Sequence, residues 1–209
     1  MWILLLVVIS YFIGSFPTSI IAGKITRGID IRDFGSHNPG ATNTFRVLGK
    51  KIGITVGLID IFKGFFCVYY LPNLLPGDSW ASEDIRLISA GFASVAGHMW
   101  TVFAGFKGGK GVGTSLGVFL GLAPIPSAIT VLVWVALTFG SGYVSLGSVV
   151  AAVVLPLAVI GEGFVRGDFS MPVSAIAVVM GTLVVVRHRS NIGRLLRGEE
   201  NRFGKHGKK

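Results

Sequence analysis

The sequence predicts an all-α polytopic integral membrane protein with about seven transmembrane helices, two of them short, the N-terminus outside and the C-terminus cytoplasmic. Three observations predict it. Hydrophobic residues make up 51% of the 209, and the mean hydropathy is +0.70. Charged residues make up only 14%, against roughly 25% in a soluble domain, and between residues 87 and 161 only Lys107 and Lys110 carry a formal charge. Apolar runs recur at 3–23, 52–71, 85–106, 112–123, 127–139, 143–161 and 171–187, several of them near the roughly 20 helical residues that span a bilayer core. So much apolar residue excludes a disordered chain and argues against a soluble nucleic-acid binder. The single cysteine, Cys67, excludes a disulfide framework and a cysteine-rich metal site.

Taken in order, the first run reads as a retained transmembrane helix. No basic region precedes it, and no small-residue cleavage site stands before Lys24, as a secretory signal requires. The second and third runs are long enough to span. Asp60 and Lys63 lie three residues apart inside the second, and an intramembrane ion pair is a functional candidate, with a local pair near the cytoplasmic end as the alternative. Runs 112–123 and 127–139 are short and separated by Pro124 and Pro126. If they formed one crossing, the basic tail would lie outside. Two short crossings keep it inside, and so does a re-entrant hairpin in a five-crossing chain. Two short helices are the chosen reading. The runs at 143–161 and 171–187 complete the set.

Charge placement orients the chain. The net charge is +9. Residues 24–51 are net +4, 107–110 are +2 and 187–209 are +6, whereas 72–86 are −2 and 162–168 are −1. The positive-inside rule puts the three basic segments in the cytoplasm. The glycine pairs Gly53/Gly57, Gly105/Gly109 and Gly117/Gly121 have the four-residue spacing of close helix packing. The glycines in and beside the basic loops suit backbone left bare for an anion.

Three polar segments carry the chemistry. The first is Gly35-Ser36-His37-Asn38-Pro39-Gly40-Ala41-Thr42-Asn43, followed by Arg46. Asn38-Pro39-Gly40 makes a turn and Thr42 or Asn43 suits a helix cap, but turn and cap leave Arg46 and the other polar groups unexplained. The second is Gly97-His98, then Phe106-Lys107-Gly108-Gly109-Lys110-Gly111-Val112-Gly113-Thr114. Two ammonium groups flank a Gly-Gly pair at a helix start, a phosphate-binding arrangement. It is not a nucleotide P-loop, because Ala104 stands where the upstream glycine is required and Gly111 where Ser/Thr is required. The third runs from Arg187-His188 through Asn191 to Glu200-Asn201, with His188 and Asn191 on one helix face. A basic tail held by anionic lipid explains Arg194, Arg197 and Lys205 to Lys209, but not His188 or Asn191. The G-x-S-x-G match at residues 113–117 has no strand before it and is set aside as coincidence. Neither a carboxylate cluster for Mg²⁺ nor a His/Cys spacing for zinc is present, so no metal and no cofactor are expected.

Together, G-S-H-N-P-G-A-T-N-x-x-R, G-H-x4-F-x2-F-K-G-G-K-G-V-G-T and R-H-x2-N-I-x-R-L-L-x-G-x-E-N resemble the three cytoplasmic motifs of the bacterial acyl-phosphate:glycerol-3-phosphate acyltransferase family (the PlsY family), over almost the whole chain. Thr101 stands where the family usually has Pro, Gly113 where it has Ala, and His37 where Gly is common. The resemblance implies a single transmembrane acyltransferase domain over residues 1–209, with 24–51, 107–113 and 187–209 as its cytoplasmic motif-bearing segments in the bacterial inner membrane. It implies transfer of a long acyl chain from acyl phosphate to the 1-hydroxyl of glycerol 3-phosphate, giving lysophosphatidic acid and phosphate. It also implies a functional link to the enzyme that makes acyl phosphate. On that resemblance Arg46 and Lys107, with His188 and Asn191, hold glycerol 3-phosphate. Ser36, Asn38, Gly40, Thr42 and Lys110, with Gly108 and Gly109, hold the acyl phosphate and its oxyanion. Asn43 and His98 join the substrate-binding set, and Ser36, Lys107, His188 and Asn191 are the catalytic set. The proton acceptor is His188 or a substrate phosphate oxygen. The rival function is an organic-phosphate transporter or exchanger, which binds near the midplane and often carries inverted repeats; no internal repeat is visible here.

Overall fold

A computed structural model describes residues 1–202. Lys205, Lys208 and Lys209, assigned above to anionic lipid, lie outside the described residues. All the regular structure among the described residues is helical, and it falls into two compact units, Met1–Leu122 and the chain from Ala123 on.

The first unit holds α1 (Trp2–Ser15), α2 (Thr18–Arg27), α3 (Ala41–Leu48), α4 (Lys50–Tyr69), α5 (Glu83–Met99) and α6 (Val112–Leu122). The first apolar run is therefore not one uninterrupted helix. A residue before proline is pushed out of the helical region, and Phe16, which precedes Pro17, has ψ 114. The break leaves the Phe16 carbonyl outside the helical ladder. Ser82 caps α5 by accepting from the Ile85 N–H, and Glu83 and Asp84 stand in its first turn, where the helix dipole favours them. The third run extends past its helix: α5 stops at Met99, and a short 3-10 turn, Val102–Ala104, leads into the second polar loop.

Helices in this unit approach closely where glycine removes the side chain. A Cβ on Gly14 of α1 would strike the Ser94 backbone of α5, and one on Gly97 of α5 would strike the Tyr11 carbonyl of α1. Gly53 lies against Phe45, and Gly117 against the Ile61 carbonyl of α4. The Gly105/Gly109 pair does not serve packing of this kind. Gly105 has open space around it and a left-handed backbone (φ 62) that ends the 3-10 turn.

The second unit holds α7 (Pro124–Ser141), α8 (Val144–Arg166), α9 (Met171–Arg187) and α10 (Arg189–Leu196). The expectation of two short helices around Pro124 and Pro126 is half corrected. α6 is short at 11 residues, but α7 has 18. Its two prolines lie in its own first turn, where N–H groups have no intrahelical partner, so they start the helix rather than shorten it. Gly181 of α9 sits against the Ala152 carbonyl of α8.

Among the described residues, five stretches are long and apolar enough to cross a membrane: Trp2–Arg27, Lys50–Tyr69, Glu83–Ala104, Pro124–Ser141 and Val144–Arg166. Met171–Arg187 with Arg189–Leu196 qualifies as a pair bent by 57°, and Val112–Leu122 is apolar but shorter.

Candidate functional site

In the first unit the two polar loops are built against each other. Asn43, on α3, is 1% exposed. Its Oδ1 accepts the Ser36 N–H at 2.8 Å, and its Nδ2 donates to the Ile31 carbonyl at 3.2 Å and the Phe34 carbonyl at 2.9 Å. Both amide protons are thereby used, so Asn43 holds the loop that carries Ser36. Neither Thr42 nor Asn43 is the helix cap expected from the sequence: α3 begins at Ala41, and its cap position is Gly40, which has no side chain to bond. Asn38 lies beside Gly40, whose N–H donates to the Asn38 carbonyl at 2.9 Å. Arg46 is half-buried in the last turn of α3.

His37 has a left-handed backbone, φ 58. That region favours glycine, and here a histidine occupies it. The imidazole Nδ1 lies 2.9 Å from the Arg32 carbonyl oxygen. The Arg32 side chain ties the two loops: Nη2 pairs with Asp30 at 2.7 Å and Nη1 donates to the Ala104 carbonyl at 3.0 Å. The hydrogen bond from Arg32 holds the Asp30 carboxyl down at about 2, and the pairing raises the guanidinium in turn.

Ala104 precedes the turn through Gly105 and Phe106 (φ 61) that presents the exposed Lys107. Beyond it the loop folds back on the end of α5. The Gly108 N–H donates to the Met99 carbonyl at 3.2 Å and the Gly109 N–H to the His98 carbonyl at 3.1 Å. This corrects the expectation that these two glycines offer bare N–H groups to an anion. They are glycines because the loop lies so close: a Cβ at 108 would hit the His98 carbonyl, and one at 109 the His98 ring. Lys110 follows, half-buried, before α6.

His98 is buried and belongs to a cluster that sequence reasoning saw only in part. Lys63 Nζ lies 2.9 Å from Asp60 Oδ1 and 2.9 Å from His98 Nδ1, and donates to the Phe16 carbonyl at 3.3 Å. The Thr18 hydroxyl donates to Asp60 Oδ1 at 3.1 Å. The i, i+3 spacing exposed the Asp60–Lys63 pair; nothing in the sequence linked it to His98 or to the Pro17 break. Between cluster and loops lies a crevice of about 10 Å³ lined by Ser19, Pro39, Asp60, His98, Gly108 and Gly109, among others, the size of one water molecule.

In the second unit, His188 and Asn191 stand at the bend between α9 and α10, both buried. His188 Nδ1 lies 2.8 Å from the Val184 carbonyl. A carbonyl only accepts, so Nδ1 carries a proton, and the neutral ring has its lone pair on Nε2. Asn191 Nδ2 donates to Glu200 Oε1 at 2.7 Å; Glu200 also accepts from Ser145 at 2.9 Å and from Arg194 at 2.7 Å. Burial works to raise the Glu200 carboxyl, but the three hydrogen bonds outweigh it and hold it below the ordinary range. Glu200 was legible only as part of the third motif, not as the anchor of Asn191.

A multi-pass integral membrane protein whose cations and amides are set on the loops and bends between its helices is the class that this fold defines. The family model described as "Glycerol-3-phosphate acyltransferase" matches residues 4–198. A glycerol-3-phosphate acyltransferase of Chlorobium phaeobacteroides (strain BS1) is 40% identical, covering 98% of each chain. The crystal structure of PlsY (YgiH), an integral membrane glycerol 3-phosphate acyltransferase, is 42% identical in its glycerol 3-phosphate form, with a TM-score of 0.84 over 97% of this chain and 96% of that one. Its lysophosphatidic acid form gives a TM-score of 0.82 over 97% and 95%. The chain belongs to the glycerol-3-phosphate acyltransferase family.

Proposed function

We propose that the protein transfers a long-chain acyl group from acyl phosphate to the 1-hydroxyl of glycerol 3-phosphate, giving lysophosphatidic acid and phosphate, and that residues 1–209 act as one acyltransferase domain in the bacterial inner membrane. The observation that carries the reading is the pair of interlocked polar loops in the first unit, which present Ser36, Arg46, Lys107 and Lys110 in a chain of this family. Both substrates are phosphorylated, and cations at a membrane surface suit them. The excess of basic charge on 24–51, 107–113 and 187–209 supports a cytoplasmic site, with the N-terminus outside.

Arg46 and Lys107 hold glycerol 3-phosphate, and His188 and Asn191 act on the same substrate. Ser36, Asn38, Gly40, Thr42 and Lys110 hold the acyl phosphate. Asn43, Gly108 and Gly109 act by shaping the loops, and His98 by supporting them. The hydroxyl oxygen of glycerol 3-phosphate attacks the acyl carbonyl, the bond to the phosphate oxygen breaks, and phosphate leaves. Acyl phosphate is a mixed anhydride and already activated, so positioning and charge stabilisation of the oxyanion suffice without a protein nucleophile. The hydroxyl proton goes to a substrate phosphate oxygen or to His188 Nε2. An enzyme that makes acyl phosphate must supply the donor. Lys107→Ala and Asn191→Ala test the site: each lowers turnover at low substrate, and wild-type turnover in either would remove that residue from it.

A further inference from the structure

We infer that Asp60 and Lys63 are positioning residues that fix the proton of His98 on Nε2 and so set the loop carrying Lys107 and Lys110. The inference deepens the proposed function and rests on it for the kinetic part only.

Both charges lie on α4 and are buried, at 4% and 5% exposure, as is His98 at 8%. Ten residues separate Lys50 from Asp60, about 15 Å of helix at 1.5 Å per residue, so the pair sits well inside the span. Ionisable groups there are costly, and where they occur they serve a function by default. Stability alone is a weak reason for the pair, because a buried ion pair replaced by apolar residues is often neutral or better.

The geometry supplies another reason. A lysine ammonium has three protons and no lone pair. Lys63 has three acceptors around it: Asp60 Oδ1, His98 Nδ1 and the Phe16 carbonyl at the Pro17 break, which also accepts the Thr18 N–H at 3.0 Å. His98 Nδ1 is therefore an acceptor, and the ring proton sits on Nε2. The ring edge bearing Nε2 faces Gly109, where a Cβ would collide with that nitrogen. The His98 carbonyl receives the Gly109 N–H. One side chain from α4 thus determines how His98 meets the loop. Asp60 in turn anchors Lys63 and is fixed by Thr18 from α2. Without Lys63, His98 Nδ1 still faces Asp60 Oδ1, 3.6 Å away. An acceptor there draws the proton onto Nδ1 and leaves Nε2 without its fixed role.

The test uses the full chain in detergent, labelled with ¹⁵N-histidine. His98→Gln assigns the His98 signals among those of the four histidines. In the wild type without substrates, Nδ1 resonates in the unprotonated range and Nε2 in the protonated range. In Lys63→Met, Nδ1 moves into the protonated range, and kcat/KM falls at least tenfold through KM for both acyl phosphate and glycerol 3-phosphate, with kcat changing less. Because Lys63→Met strands a carboxylate, Asp60→Asn/Lys63→Met serves where the single variant does not fold; it keeps a wild-type melting temperature and loses kcat/KM at least tenfold. A protonated Nδ1 in the wild type overturns the inference, and so do wild-type kinetics in a folded variant. An accepting Nδ1 in a protein without acyltransferase activity leaves the wiring intact and refutes the reaction instead.

Discussion

Replacing Asn43 by alanine separates a loop strut from a substrate contact. The side chain makes three hydrogen bonds, to the Ser36 N–H and to the carbonyls of Ile31 and Phe34. At about 1 kcal/mol net each, Asn43→Ala shifts the loop toward opening by about 3 kcal/mol, on the order of 100-fold. Asn43→Asp keeps an acceptor for Ser36 but turns an oxygen toward two carbonyls, so it is expected to be no better than alanine. Hydrogen exchange at the Ser36 amide measures the opening directly and needs no substrate. It is expected to quicken roughly 100-fold in both variants, by that same conversion, together with a fall in kcat/KM. Unchanged exchange at Ser36 in Asn43→Ala, with activity lost, would refute the strut and return Asn43 to substrate contact.

Other outcomes follow from the same geometry. Gly109→Ala drives a methyl group into the His98 ring and should lower kcat/KM at least tenfold, measured by lysophosphatidic acid formation. Asp30 has its carboxyl held at about 2 against an ordinary 3.8, so its pairing with Arg32 contributes stability that is full above pH 4 and lost as pH falls through about 2; Asp30→Asn should flatten the acid limb of a melting-temperature profile across that window. Glu200→Gln weakens the charge-assisted bonds from the buried Asn191 and the half-buried Arg194, each worth about 1.5–3 kcal/mol at most, and should lower both the melting temperature and kcat. A cysteine placed at His37 should react with a membrane-impermeant thiol reagent only from the cytoplasmic side, and one at Glu83 only from outside.

The helical membrane class was readable from the apolar runs, because lipid requires helices to be long and greasy. Their boundaries were less so. Pro17 and Pro124 look alike as breakers in the sequence, yet Pro17 falls inside one apolar run and stands just before α2, whereas Pro124 falls between two runs and is the first residue of α7. The polar loops stood out by residue type, but the roles within them did not. Gly108 and Gly109 read as bare backbone for an anion, whereas their N–H groups bond the end of α5. Asn43 read as one more ligand, whereas it holds Ser36 in place. Thr18 and Phe16 carried no signal, because their parts depend on Asp60 and Lys63 arriving from a helix more than 40 residues away.

Incubating purified protein with palmitoyl phosphate and labelled glycerol 3-phosphate tests the proposed reaction most directly. Labelled lysophosphatidic acid should appear with one phosphate released per molecule, and palmitoyl-CoA should not replace the donor. No labelled lipid, with uptake of glycerol 3-phosphate into sealed vesicles containing the protein, would contradict the reaction and make the protein a transporter.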